Sequence, residues 1–234
     1  MNQIAENVSR IREEMARAEA QAGRPAGEVQ LLAATKMNDA QRVREAIAAG
    51  VDACGENRVQ ELQEKYPQGA YTGAPLHFIG HLQKNKAKFL VGVVDLIESV
   101  DSEALLSILD RLAAQKGVRQ DVLIEVNIGG ELAKSGIVPE QADEMSAKME
   151  EYPHLRLRGF MTIPPISVEN GGNLRYFAKM YQLYVDIKAK KYDNTNIDCL
   201  SMGMSDDFAD AIKEGATLIR VGTRIFGSRQ YVKN

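Results

Sequence analysis

Three groups of residues in this sequence have the types and spacing to do chemistry. The first is Lys36, which follows the mostly apolar run Leu31–Thr35. An amine at the end of a buried strand is partly shielded from water. That shielding and nearby cations both lower its pKa and expose a neutral nucleophile. The same position also suits an ordinary surface lysine that opens a loop. The second group is a pair of segments rich in glycine and hydroxyls. Ser201, Met202, Gly203, Met204 and Ser205 lead into a helical stretch, and Gly222 and Thr223 end the last apolar run. Glycine lets backbone approach a ligand, hydroxyls donate, and helix N-termini attract anions, so together the segments suit a phosphate. Taken singly, each is an ordinary tight turn. The third is Arg220. Strand alternation places Leu218, Arg220 and Gly222 on one face, with Ile219 and Val221 on the other. A guanidinium on an interior face is costly without a partner. Arg220 is therefore either half of an internal ion pair, with Glu125 or Glu56, or a donor to a ligand ring.

Other polar residues carry weaker signals. Asn57 ends the second apolar run, where it offers an amide to the same pocket or caps a helix. His77 and His81 are four apart, a metal-binding spacing on a helix. This stretch reads as a strand ending at Gly80, and no carboxylate or cysteine completes a ligand set, so no metal is expected. Lys84, Lys86 and Lys88 read as a solvated helix face. Lys134 is a second amine near the same mouth, and an exposed loop lysine is its plainer reading. Cys54 and Cys199 sit far apart in apolar runs and read as two buried thiols in a reducing compartment.

Bringing positions 36, 57, 201–205 and 220–223 together requires a particular scaffold. Strand-length apolar runs occur at Val29–Thr35, Val51–Gly55, Leu76–Gly80, Val93–Ser99, Val122–Ile128, Leu155–Ile163, Cys199–Gly203 and Thr217–Gly222. Amphipathic stretches separate most of them, clearest at Asp39–Ala49, Ser102–Gln115, Pro139–Glu150, Leu174–Lys190 and Ser205–Glu214. Strands such as Val122–Ile128 are apolar almost throughout, which fits parallel strands covered on both faces. The alternation implies a closed (β/α)8 barrel of the TIM type, with a doubly wound open sheet as the alternative. Before it, Ile4, Val8, Ile11, Met15 and Ala18 recur at helical steps. The expected organisation is one domain over 1–234, with an extra N-terminal helix (1–22) and the barrel at 29–227.

With 234 residues, 44% of them hydrophobic and a formal net charge of −3, the chain can bury a real core. It has no basic excess to suggest nucleic acid. No leader or membrane-length apolar run is visible, so a cytoplasmic protein is expected.

The blocks Ala34–Lys36, Gly55–Asn57, His77–Lys86, Gly159–Met161, Leu200–Asp207 and Ile219–Gly227 resemble, in order, those of the pyridoxal phosphate homeostasis proteins. These are small relatives of the N-terminal barrel of alanine racemase. The resemblance spans nearly the whole chain. It implies that Lys36 carries pyridoxal 5′-phosphate as a Schiff base. It also implies that Ser201, Gly222 and Thr223, with amides and hydroxyls of the turn from Met202 and Gly203 to Ser205, hold its phosphate. Arg220 would face the pyridine nitrogen, and Asn57 and Met161 would line the ring. The family is described as binding the cofactor without established turnover, which makes the chain a carrier or regulator rather than an enzyme. Apo forms of pyridoxal enzymes are the implied recipients. Alanine racemase adds a second base from another domain. This sequence ends at Asn234, soon after Gly227, so that domain and its dimer contact are not expected, and a monomer is. The competing readings are a racemase-type enzyme and a cofactor-free Schiff-base aldolase barrel.

Overall fold

In the computed structural model, eight parallel strands close into a barrel in the order of the sequence, with the last strand pairing back on the first. The structure describes residues 2–131, 133–167, 169 and 171–227. The strands are β1 (Gln30–Ala34), β2 (Ala53–Glu56), β3 (Leu76–Phe78), β4 (Leu96–Val100), β5 (Gln120–Glu125), β6 (Leu155–Met161), β7 (Thr195–Ser201) and β8 (Leu218–Val221). The helices are α1 (Gln3–Gln21), α2 (Ala40–Ala48), α3 (Val59–Lys65), α4 (Glu103–Lys116), α5 (Ala142–Ala147), α6 (Leu174–Lys190), α7 (Phe208–Lys213) and α8 (Thr223–Phe226). The closed barrel replaces the open-sheet alternative.

The strands are apolar on both faces because both faces are covered. On β1, Leu31 and Ala33 join the large core between strands and helices, while Leu32 and Ala34 join a small cluster inside the barrel. On β8 the alternation runs the same way. Ile219 and Val221 face the helices, and Leu218 faces the lumen. Arg220 therefore points inward, with 4% of it exposed. Each fully buried Leu or Ile contributes about 1.5–3 kcal/mol, and the outer core holds most of them.

Helix α1 is capped by Asn2, whose side chain accepts from the Ala5 amide at 2.9 Å. Its buried stripe of Ile4, Val8, Ile11, Met15 and Ala18 packs on α2, α7 and α8, over the seam where β1 meets β8. Buried Glu19 then accepts from the amides of Gly27 and Val29 and turns the chain into β1.

Several boundaries differ from the sequence reading. β7 begins at Thr195, four residues before Cys199, because its lower half alternates exposed Asn196 and Asp198 with Ile197. Asp198 is drawn outward to Arg158 at 2.6 Å. Residues 205–207 form a turn, and α7 starts only at Phe208. α3 was not singled out from the sequence. Lys84, Lys86 and Lys88 lie on a helix as expected, a 3-10 helix over Lys84–Phe89.

Candidate functional site

The upper mouth of the barrel, at the C-terminal ends of the strands, collects most of the singled-out residues. Lys36 follows β1, and its flanking backbone is tied on both sides. The Thr35 hydroxyl donates to Glu56 at 2.6 Å, and Lys65 donates to the Thr35 carbonyl at 3.0 Å. On the other side, the Met37 amide donates to Glu61 at 2.6 Å. Met37 adopts φ 62°, a left-handed conformation that a non-glycine residue keeps only when its surroundings enforce it. The enforcing cluster is a buried set in which Lys65 pairs with Glu56 at 2.7 Å and Glu61 at 3.0 Å, while Tyr71 donates to Glu56 at 2.9 Å. Burial first, then the charge of Glu56, pushes the Tyr71 phenol well above its usual pKa.

Lys36 lines a cavity of about 450 Å³ together with Asn38, Arg42, Gly222, Thr223 and Phe226. The amine and the β8 turn thus face one space. The two turns meet there: Thr223 donates to the Ser205 hydroxyl at 3.0 Å, which joins the turn after β7 to that after β8. A side chain at Gly222 would lie 3.3 Å from the Ala34 carbonyl oxygen, so glycine keeps this edge of the cavity open. Arg42 and Arg224 add positive charge nearby. Arg42 donates to the Phe226 carbonyl, and Arg224 pairs with Glu14 of α1.

The other expected residues are placed differently. Ser201 is wholly buried, and its hydroxyl donates to Glu98 at 2.5 Å while accepting from Arg220 at 2.6 Å. Its hydroxyl is thus engaged inside the lumen instead of standing in the turn, and the hydroxyls available at the turn are those of Ser205 and Thr223. Met202 points into the outer core, and its amide donates to the Leu218 carbonyl at 3.1 Å. Gly203 has φ +90°, and a methyl group there would meet Ala211 at 2.5 Å. Its bare backbone accommodates α7. Met161, 1% exposed, packs in the lumen with Leu96 and Leu123. Asn57 does not cap α3, whose start has no side-chain cap. It borders a neighbouring cavity with Phe78 and His81, and its Oδ1 is buried without a hydrogen-bond partner among the described residues.

Neither proposed ion-pair partner for Arg220 holds. Glu56 points out of the barrel to Lys65, because parity on β2 places Ala53 inside and Cys54 outside. Glu125 accepts from Ser135 at 2.7 Å. Arg220 is instead held by Ser201 and by the Thr162 carbonyl at 2.8 Å, with Glu98 behind Ser201. Glu98 went unnoticed in the sequence, although a lone acid at an interior position of Leu96–Val100 is the same signal that marked Arg220. His77, read only against a metal site, has its Nδ1 2.7 Å from Glu98. His81 is exposed and pairs with Asp101. Lys134 pairs with Glu131 and donates to the Pro164 carbonyl at 3.0 Å. Burial pushes the Cys54 thiol up to about 12, and it raises that of Cys199 as well.

Comparisons with known proteins place this geometry in a family. The alanine racemase N-terminal domain family matches residues 2–230. A pyridoxal phosphate homeostasis protein of Aquifex aeolicus is 42% identical over 227 residues, covering 97% of this chain and 98% of that one. The protein so named in Escherichia coli K12 is 40% identical over 239 residues, covering 100% of both. The structure of PipY from Synechococcus elongatus with pyridoxal phosphate bound is 33% identical with a TM-score of 0.78, covering 91% of this chain and 100% of that chain. An alanine racemase of Clostridium difficile, 15% identical, shares the fold with a TM-score of 0.70 over 97% of this chain and 58% of its own. With relatives at this identity over their full length and the family matched over residues 2–230, the chain belongs to the pyridoxal phosphate homeostasis proteins, built on the alanine racemase N-terminal barrel.

Proposed function

We propose that this protein binds pyridoxal 5′-phosphate at the upper mouth of the barrel, holds it through the amine of Lys36, and serves vitamin B6 balance as a carrier and regulator rather than as a catalyst. The observation that carries this reading is the single cavity lined by Lys36, Gly222 and Thr223. An amine and a phosphate-suited turn there face one space, in a chain whose relative holds that cofactor.

The donor set fits the group. The Ser205 and Thr223 hydroxyls and the backbone at Gly222 would take the phosphate, with Met202 and Gly203 shaping the turn. Asn57, whose buried Oδ1 lacks a partner among the described residues, and Met161 would border the ring. Arg220 would face the ring nitrogen, with Ser201 supporting Arg220 rather than the phosphate. When bound, the group supplies an aldehyde that captures amines and a conjugated ring that acts as an electron sink. Arg220 fits weak chemistry at the ring, a feature that alanine racemase shares. Its guanidinium stays charged at working pH, so it donates hydrogen bonds but does not hand over a proton. A ring nitrogen beside it would stay unprotonated, which would leave the ring a poorer electron sink.

In this reading residues 1–234 act as one monomeric domain in the cytoplasm and deliver the cofactor to apo forms of pyridoxal enzymes. Among the described residues no helix is long and apolar enough to cross a membrane. The test is the visible spectrum of purified protein beside Lys36→Ala. A band present in the parent and lost in the variant, with faster delivery to an apo-enzyme than free cofactor achieves, supports the reading. No band after adding pyridoxal phosphate refutes it, and amino-acid racemisation that depends on Lys36 would make the protein an enzyme.

A further inference from the structure

A chain of buried polar side chains crosses the inside of the barrel. His77 on β3 sets Nδ1 2.7 Å from Glu98 on β4; Ser201 on β7 donates to the other Glu98 oxygen at 2.5 Å; Arg220 on β8 donates to Ser201 at 2.6 Å. Glu98 and Ser201 are wholly buried, and Arg220 and His77 are nearly so. The two ends of the chain meet different surroundings. His77 lines a cavity of about 800 Å³ at the lower mouth, beside Asp95, Arg119, Asp121, Arg158 and Asp198. Arg220 lies two residues before Gly222, which lines the Lys36 cavity at the opposite end.

The direction of the chain is fixed by its chemistry. A serine hydroxyl has one proton, and an ionised carboxylate only accepts. Ser201 therefore donates its hydrogen bond to Glu98 and turns a lone pair to Arg220. Burial pushes the Glu98 carboxyl up. The hydrogen bond and charge of His77, with Arg220 and Ser201, outweigh that and bring it below the usual range. Each member thus depends on the next, because an uncompensated charge in the lumen is strongly unfavourable.

We propose that His77, Glu98 and Ser201 are positioning residues that fix the Arg220 guanidinium beneath the cofactor, so that a change at the lower mouth is felt at the upper one. This rests on the cofactor reading above. The three touch one another and Arg220 rather than the Lys36 cavity, so their effect is exerted through the guanidinium.

The test compares full-length parent protein with Ser201→Ala, Ser201→Thr, Glu98→Gln and His77→Gln, each checked for intact fold by far-UV circular dichroism. Each is loaded with pyridoxal 5′-phosphate, and the band position and release rate are measured. Ser201→Ala is expected to shift the band and speed release by about tenfold, the effect of one lost charge-assisted hydrogen bond. Ser201→Thr, which keeps the hydroxyl, restores both. His77→Gln, at the far end, moves them in the same direction. A second arm follows the Arg220 guanidinium by NMR in ligand-free protein, where Ser201→Ala and His77→Gln are expected to shift its resonance. Unchanged band, release and resonance in folded Ser201→Ala and His77→Gln overturn the proposal. Failure of the parent to load overturns the cofactor reading alone, and the ligand-free arm still decides the relay.

Discussion

Lys65 donates to Glu56 at 2.7 Å in a place where neither meets much water, with side chains 7% and 0% exposed. The same amine reaches Thr35, one residue before Lys36, and Glu61, which holds Met37, one residue after. The pair is thus a clamp on the backbone that presents Lys36. Breaking a buried pair from one side leaves a lone charge. Lys65→Met is therefore expected to lower unfolding free energy by about 3–5 kcal/mol, read from urea denaturation. Cofactor loading should fall with it. The double variant Glu56→Gln with Lys65→Met should recover much of the stability, and an unchanged midpoint in the single variant would show that the clamp bears no load.

The hydroxyl pair of Ser205 and Thr223 joins the two turns at 3.0 Å. Ser205→Ala and Thr223→Val are each expected to weaken binding of pyridoxal 5′-phosphate by about tenfold, the range for a hydrogen bond to a charged group. Binding of pyridoxal, which lacks the phosphate, should stay the same. Equal losses for both ligands in a titration would place the hydroxyls elsewhere than at the phosphate.

Two glycines of the mouth should respond in opposite ways. At Gly203 the backbone is left-handed, and a methyl would strike Ala211 and Phe208 of α7. Gly203→Ala is expected to cost about 1–3 kcal/mol in thermal or chemical denaturation. Gly222 has an ordinary φ of −118°, and a methyl there meets Ala34 only at 3.3 Å. Gly222→Ala should keep its stability to within about 1 kcal/mol yet load less cofactor, because the methyl narrows the Lys36 cavity.

The two lumen carboxylates should shape the pH profile with opposite signs. In Glu98 the folded pKa is lowered. Its contribution to stability is therefore present above the unfolded value and lost as pH falls through the folded one. In Glu125 the folded pKa is raised, by burial first, with Ser135 opposing and Asp101 adding. Its contribution is therefore greatest below the unfolded value and is lost as pH rises through the folded one. Glu125→Gln is expected to raise Tm at about pH 7 and to lose that gain at about pH 4, where the parent carboxyl is already protonated. A Tm gain of the same size at both would contradict this account.

The barrel could be read from the chain because strands covered on both faces leave a local mark, an apolar run with no polar side. The inward turn of Arg220 could be read by parity alone. What failed was pairing across distance. Ser201 and Glu98 are 103 positions apart, and no local pattern tells a serine at the end of β7 that its hydroxyl meets an acid on β4. The packing of Gly203 against α7 was not legible for a related reason. Its neighbour is the helix that follows, and a glycine required by close packing looks in sequence like one required by a ligand. Glu56 was misdirected because β2 is only four residues long, too short for its alternation to be read without the core on either side.

One feature of α1 bears on how such a chain is made. Its apolar stripe is covered by α2, α7 and α8, and Asn7 donates to the carbonyl of Ile225 at 2.9 Å, 218 positions later. On a ribosome, Ile4, Val8, Ile11 and Met15 emerge long before α7 and α8, which supply most of their cover. β1 likewise waits for β8 before the wall can close. Contacts of such long sequence separation form slowly and leave apolar surface open to aggregation in the meantime. The nascent chain therefore carries α1 as a sticky segment until some 200 residues more have been made, and the step that finally shelters it is the same one that assembles the lysine-bearing mouth.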